Sequence, residues 1–300
     1  MRPLLRPGVH VLHRGDGHVQ LGLDPAAAVL LPDQPEVRAL LGGLDGSAHP
    51  DDDAVLSLLA SESLVVDEQS VLPLLGPGVG PGGRPAAAAL ARHRGEAAIA
   101  AAASRRSTTL QAVGFGLDCS ADGIDLLAEL TGLAERVGMQ SRCGSTTSGK
   151  GGQDTGMLGA VVGVGEPARE LLDPWTQAGT PYVVVRMTEG RAVVGPFVVP
   201  GETACLRCID AHHTDTDRAL PLLVHQYSRA TSRDRTDGLT EPVDPILVTL
   251  AVAWATRDLA SYVDGVRPST WSSTVTFDAQ LGSIESRCWM RHPECGCSWH

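Results

Sequence analysis

Four of the chain's seven cysteines fall in two close pairs. "ACLRC" sets Cys205 and Cys208 in a C-x-x-C pattern, and "HPECGC" sets Cys295 and Cys297 in C-x-C. A tetrahedral Zn–S4 site needs four thiolates about 2.3 Å from the ion. A C-x-x-C turn can aim two sulfurs at one point, and the second pair completes the shell. The long gap between the pairs means that the ion would pin the end of the chain back onto its middle. Much of the binding free energy would then appear as folding free energy. A thioredoxin-like redox reading requires a thioredoxin fold and leaves the second pair unexplained. The sequence therefore predicts a closed, structural zinc site on Cys205, Cys208, Cys295 and Cys297, and no catalytic residue. Cys288 and His292 are spare ligands. C-x-C is tighter than C-x-x-C, so either could replace Cys295 or Cys297.

A second pattern concerns phosphate. "VGFGLDCS" puts Gly114 and Gly116 at a strand-to-helix turn, where G-x-G-x-x-G would bring backbone amides to a nucleotide. Cys119 stands in the third glycine position, and Asp118 would set negative charge beside the phosphates. The ribose-binding acid should lie about 20 residues on, where Glu135 is the nearest acid. Arg92, Arg94, Arg105 and Arg106 could assist phosphates from the preceding helix, or simply form a solvated face. "GSTTSGKG" nearly spells a P-loop, but Gly151 replaces the Mg2+-binding hydroxyl and no strand precedes it. The fingerprint is damaged, and ATP with Mg2+ is left open as a cofactor. His212 and His213, with Asp210, Asp215 and Asp217, could form a base or a metal site, or a polar crossover. Cys143 beside Arg142 could serve as a nucleophile only if its pKa were lowered. Trp254 and Trp271 read most simply as core or interface.

These residues need elements to position them. The 300 residues are 43% hydrophobic, enough for one substantial core plus a small extra domain. A net charge of −11 argues against non-specific nucleic-acid binding, which needs many cationic phosphate contacts. No apolar run reaches the roughly 20 residues that span a bilayer, and residues 1–16 lack a signal-peptide core. The cysteines are thus expected in a reducing cytoplasm, where close pairs bind metal. Residues 1–70 predict a small α+β domain. "VHVLHRGDGHVQLGLD" is a hairpin and "AAVLLP" a third strand, followed by helices over "PEVRALLGGL" and "DDDAVLSLLASESLVV". Residues 71–84, dense in Gly and Pro, read as a linker. Over 85–300 strands alternate with helices, which argues for a mostly parallel α/β sheet extended antiparallel by late hairpins. "SRCGSTTSGKGGQDTG" reads as a polar, mobile loop.

The stretch "GPFVVPGETACLRCIDAHHTD", about 90 residues before "HPECGC", resembles the E1-like ThiF superfamily. More narrowly it resembles the Ocin-ThiF-like partners of cyclodehydratases in thiazole/oxazole-modified peptide (bacteriocin) biosynthesis. The opening "RPLLRPGVHVLHRGDGHVQLGLDPAAAVLL" is similar to that group's peptide-recognition element. The resemblance implies a Rossmann-like, zinc-bearing α/β domain preceded by a winged-helix-like domain, paired as a homodimer. It implies that the small domain grips a precursor leader peptide by β-augmentation and presents it to a YcaO-type partner enzyme. Contacts would then involve Val29, Leu30, Leu31, Val37 and Leu41, each of which also fits plain core packing. Active ThiF-type enzymes place a metal-binding Asp after a later strand; here Glu166 is the nearest carboxylate. The resemblance leaves two alternatives, an active adenylyltransferase of a ubiquitin-like or peptide carboxylate, and a regulatory protein that keeps only the fold.

Overall fold

Apolar–polar alternation on either side of Gly15–Asp16–Gly17 requires a hairpin, and one forms. The computed structural model describes residues 2–25, 27–45, 54–75, 83–94, 97–116, 125–144, 156–232, 241 and 243–298. After β1 (Pro3–Leu5), strands β2 (Val11–His13), β3 (His18–Leu21) and β4 (Val29–Pro32) make an antiparallel sheet with β3 in the middle. Val11 faces Leu21 across one ladder, and Leu21 faces Val29 across the next. Helix α1 (Pro35–Gly42) starts on a proline, whose missing N–H is no loss there, and buries Val37 and Leu41. Then come α2 (Ala54–Ser61), β5 (Val65–Asp67), which pairs back onto β1, α3 (Glu68–Leu75), α4 (Gly83–Arg94) and α5 (Ala98–Ser107). Val19, Leu21, Leu31, Val37, Leu41 and Leu59 share one core. The aspartates at 51 to 53 lie outside the described residues.

The chain divides into two compact units, Met1–Ala103 and Ser104–His300. The expected division lay further back, with residues 71–84 as linker. Instead α3 takes up Val71–Leu75, and the apolar faces of alanine-rich α4 and α5 cover Val66 and Val71. A helix with so small an apolar face gains little alone, so it stays with the surface that it can bury.

In the second unit the order is β6 (Thr109–Phe115), α6 (Leu126–Arg136), β7 (Gln140–Gly144), β8 (Met157–Val164), α7 (Asp173–Ala178), β9 (Tyr182–Thr188), β10 (Arg191–Val198), α8 (Leu206–Thr214), α9 (Leu220–Ala230), α10 (Pro245–Val263), β11 (Ser273–Asp278) and β12 (Ile284–Cys288). The described strands form one sheet, β12-β11-β10-β9-β8-β6-β7. The expectation of a mostly parallel sheet is corrected: β7, β6, β8 and β9 run parallel, but every ladder from β9 to β12 is antiparallel. The cause is the short link Glu189–Gly190, both residues left-handed, which only a hairpin can use. Residues 141–144, read as the start of a mobile loop, belong to an edge strand, so exposed Cys143 sits in a ladder opposite Ala112.

Helices cover both faces. On one side α6 and α10 bury Leu130, Leu247, Val248, Ala251, Val252 and Leu259 against β8, β9 and β10. Asp244 caps α10, accepting from the Leu247 N–H at 2.8 Å. Among the described residues α10 alone is long and apolar enough to cross a membrane, yet nine of its residues are buried, six of them in this core. On the other side Trp175, Tyr182, Leu206 and Ile209 pack with the four paired cysteines.

Candidate metal centre

Cys205 is the N-cap of α8 and Cys208 lies in its first turn, so their side chains leave the helix on one side. The unpaired amides of that first turn favour negative sulfur. The opposite wall is the segment after β12. The Trp289 N–H donates to the Ser272 carbonyl at 2.7 Å, the Trp289 Nε1–H to Thr274 Oγ1 at 3.0 Å, and Arg291 Nη1 to the Gly201 carbonyl at 2.5 Å. A bond from the Cys295 N–H to the His292 carbonyl, 3.0 Å long, then turns the chain so that Cys295 and Cys297 face α8.

The four sulfurs converge. Sγ separations are 3.8 Å for Cys205–Cys208, 3.7 Å for Cys205–Cys295 and 3.4 Å for Cys208–Cys297, and all four atoms lie within 4.8 Å of one another. Bonds of about 2.3 Å to a central ion set tetrahedral sulfurs about 3.8 Å apart, whereas a disulfide holds them at about 2.05 Å. All four side chains are buried, and Cys208 is fully so. The Cys205 thiol donates to Cys208 sulfur, which pushes Cys205 far above the ordinary thiol range and holds Cys208 below it. Four such groups can all ionise in this apolar setting only around a cation. The cluster therefore has the donors, spacing and burial to hold a metal ion. Cys288, exposed at the end of β12, is outside it, and His292 contributes its backbone carbonyl rather than a ring nitrogen.

Beside the cluster lies a charge network whose arginines the sequence reading did not single out. Arg169, in the 3-10 turn Arg169–Leu172, makes a two-pronged contact with Asp210 of α8, Nε–Oδ2 2.7 Å and Nη2–Oδ1 2.9 Å. Its Nη1 reaches Glu166 Oε2 at 2.9 Å, and Arg186 of β9 reaches Glu166 Oε1 at 2.5 Å. Burial works against the Arg169 charge, but its hydrogen bonds to Asp210 and the charge of Glu166 hold its pKa above the usual arginine range. Glu166 and Arg169 are local neighbours, three residues apart, but Arg186 and Asp210 join them only through tertiary packing of β9 and α8.

The two glycines of the phosphate pattern make close packing contacts. Gly116 has φ +80°, and a Cβ there would lie 2.2 Å from the Val164 carbonyl oxygen. A Cβ on Gly114 would lie 2.9 Å from Leu127 of α6. The two glycines let β6 pass close to β8 and α6; Asp118, Cys119 and Gly151 lie outside the described residues. Arg92 belongs to the first unit, where its side chain lies over Gly8, and of the Arg94 side chain nothing is described. Arg105 is buried rather than solvated: its Nε and Nη2 bond Asp264 at 2.9 and 2.7 Å. Of the peptide candidates, Leu31, Val37 and Leu41 are in the core of the first unit, Val29 is partly buried and Leu30 is exposed. Trp254 packs on Phe277, and Trp271 stacks on Phe197.

No family model matches the sequence, and no curated protein matches it. Solved structures do. The chain shares its fold with the heterocyclase TruD. The match has TM-score 0.67 at 18% identity and covers 99% of this chain and 42% of that one. A heterocyclase in complex with substrate and cofactor matches at TM-score 0.69 and 17% identity, over 99% of this chain and 39% of that one. The chain thus spans about two fifths of the heterocyclases. It spans all of Escherichia coli MccB, in a structure with ATP, at TM-score 0.58 and 11% identity.

Proposed function

We propose that this chain is an E1-like scaffold that binds a precursor peptide and presents it to a heterocycle-forming partner enzyme. The shared fold with heterocyclases over 99% of the chain supports this reading. The ion in the cysteine cluster is Zn2+, held structurally: four sulfurs at tetrahedral spacing leave no coordination position for substrate. The first unit, winged-helix-like in this reading, takes the peptide as an added strand. β2 and β4 are the edges of its three-stranded sheet, and β4 ends on Pro32, a residue that edge strands tolerate. Leu30 and Val29 of β4 meet the peptide, while Leu31, Val37 and Leu41 support the strand from beneath.

The observation that sets a scaffold apart from an active adenylyltransferase is Glu166. In this reading it occupies the place of a magnesium ligand, but two guanidiniums already neutralise it. Such a carboxylate is a poor site for a hard cation. The second reading, peptide or protein adenylation, rests on the full-length match to MccB, whose structure contains ATP. Calorimetry with Mg·ATP and pyrophosphate exchange separate the two. The scaffold neither binds Mg·ATP nor exchanges pyrophosphate. Mg·ATP binding together with pyrophosphate exchange by the wild-type protein would establish the adenylyltransferase instead. Peptides selected on the immobilised full chain should lose binding to Leu30→Glu and keep it with Leu58→Glu, an exposed control on α2.

A further inference from the structure

The cysteine cluster uses only the first turn of α8. Along the helix the same stripe continues through His212 and Asp215, spaced four and then three residues beyond Cys208. The facing segment likewise carries His292 three residues before Cys295. One ligand atom from each of His212, Asp215 and His292 lies within 4.8 Å of the other two. We propose that these three residues form a second metal site, for a divalent transition-metal ion of the zinc, nickel or cobalt type.

The donor chemistry fits that class. Two imidazoles and one carboxylate select borderline transition metals over Ca2+ or Mg2+. His212 Nε2 lies 2.8 Å from the Met290 carbonyl, the outer bond that fixes a ligating imidazole and leaves Nδ1 for an ion. His292 is buried, its ring is edge-on to His212 with centroids 4.8 Å apart, and its Nε2 lies 3.1 Å from Asp215 Oδ2. Metal–ligand bonds of about 2.0–2.1 Å place tetrahedral donors about 3.4 Å apart, so an ion can replace the proton in that bond with a shift of tenths of an ångström. Binding at Nε2 moves the remaining imidazole proton to Nδ1 and breaks the 3.2 Å contact from the Glu294 N–H. Asp215 lines a cleft of about 650 Å3 between α8 and α9, which gives the site a route from solvent. The second ion joins the same two segments as the first and, with only three protein ligands, keeps an open position.

The test uses the full chain with its cysteine site filled by one equivalent of Zn2+. Titration with Co2+, followed by visible absorption and calorimetry, should show one further equivalent with ligand-field bands and no thiolate-to-cobalt charge-transfer band. Asp215→Asn and His212→Gln should each weaken that equivalent tenfold or more without releasing the zinc. His213→Gln, at a residue outside the three-residue cluster, should leave it unchanged. The proposal is overturned if wild type takes up no Co2+, if uptake carries the charge-transfer band of exchange at the cysteines, or if the second equivalent survives both substitutions at full affinity. Because the two sites differ in that band, failure here is distinguishable from failure of the zinc-braced scaffold reading.

Discussion

At the scale of single residues, the four paired cysteines carry the most weight. Structural zinc contributes an apparent ~10–16 kcal/mol in small domains, as much as the whole stability of a typical domain, about 5–15 kcal/mol. Cys205→Ser and Cys297→Ser should therefore lose stoichiometric zinc and unfold at far lower temperature. Cys288→Ser, at an exposed strand end, should keep both metal content and Tm. Metal analysis and thermal unfolding of the three variants decide which cysteines are ligands, and zinc retained by Cys297→Ser but lost by Cys288→Ser would reassign the shell. That the two close pairs could share one ion was legible from spacing, because C-x-x-C and C-x-C each restrict where two thiols can point; that Cys288 and the His292 ring stay outside the cluster was not. The Arg169–Glu166–Arg186 network was not legible. An arginine reads the same on any surface until a tertiary contact buries it.

At the scale of elements, two glycines with opposite roles test how the sheet is packed. Gly116→Ala would push a methyl to within 2.2 Å of backbone oxygen at φ +80°, and β6 cannot withdraw from β8 without breaking its ladder. The left-handed penalty alone is roughly 1–2 kcal/mol, and the clash adds to it. Gly132, within α6, has open space where a Cβ would go, so Gly132→Ala should stabilise by about 0.5–1 kcal/mol. Urea melts of the two variants should move in opposite directions. The buried pair Arg105–Asp264 ties the start of the second unit to the C-terminus of α10. Arg105→Met alone leaves a buried carboxylate and should cost about 3–5 kcal/mol; adding Asp264→Leu should recover part of it. A double-mutant cycle measures the difference, and strict additivity would show that the pair is not coupled. Strongly apolar elements are readable from sequence, α10 from its long apolar stretch behind the Asp244 cap and β8 from a short continuous apolar run. β7 escaped because an edge strand ladders through its backbone and shows little apolar pattern in its side chains. The short β1 escaped because its partner β5 lies some sixty residues away.

At the scale of the whole molecule, the decisive property is that the two units keep separate cores. Val19, Leu21 and Leu59 anchor one, with Val66, Val71 and Ala91 beside them; Leu130, Val185 and Leu259 anchor the other. The boundary escaped the sequence reading because a Gly/Pro-rich run looks like a linker, whereas the division follows where α4 and α5 find apolar surface. The cysteine cluster lies wholly in the second unit and joins α8 to the end of the chain across 90 residues between Cys205 and Cys295. Removing a metal ion from these cysteines would relax that closure and leave buried thiols crowded without a cation. It touches no group in the first core. Differential scanning calorimetry should therefore show two transitions. A chelator should lower one of them by more than 10 °C, since 1 kcal/mol moves Tm by only about 2–4 °C in a unit of this size. The other transition should stay in place, and Leu21→Ala should move that one alone. A single transition that shifts as a whole with chelator would mean that the units unfold as one, and that a metal at the cysteines braces the first unit as well.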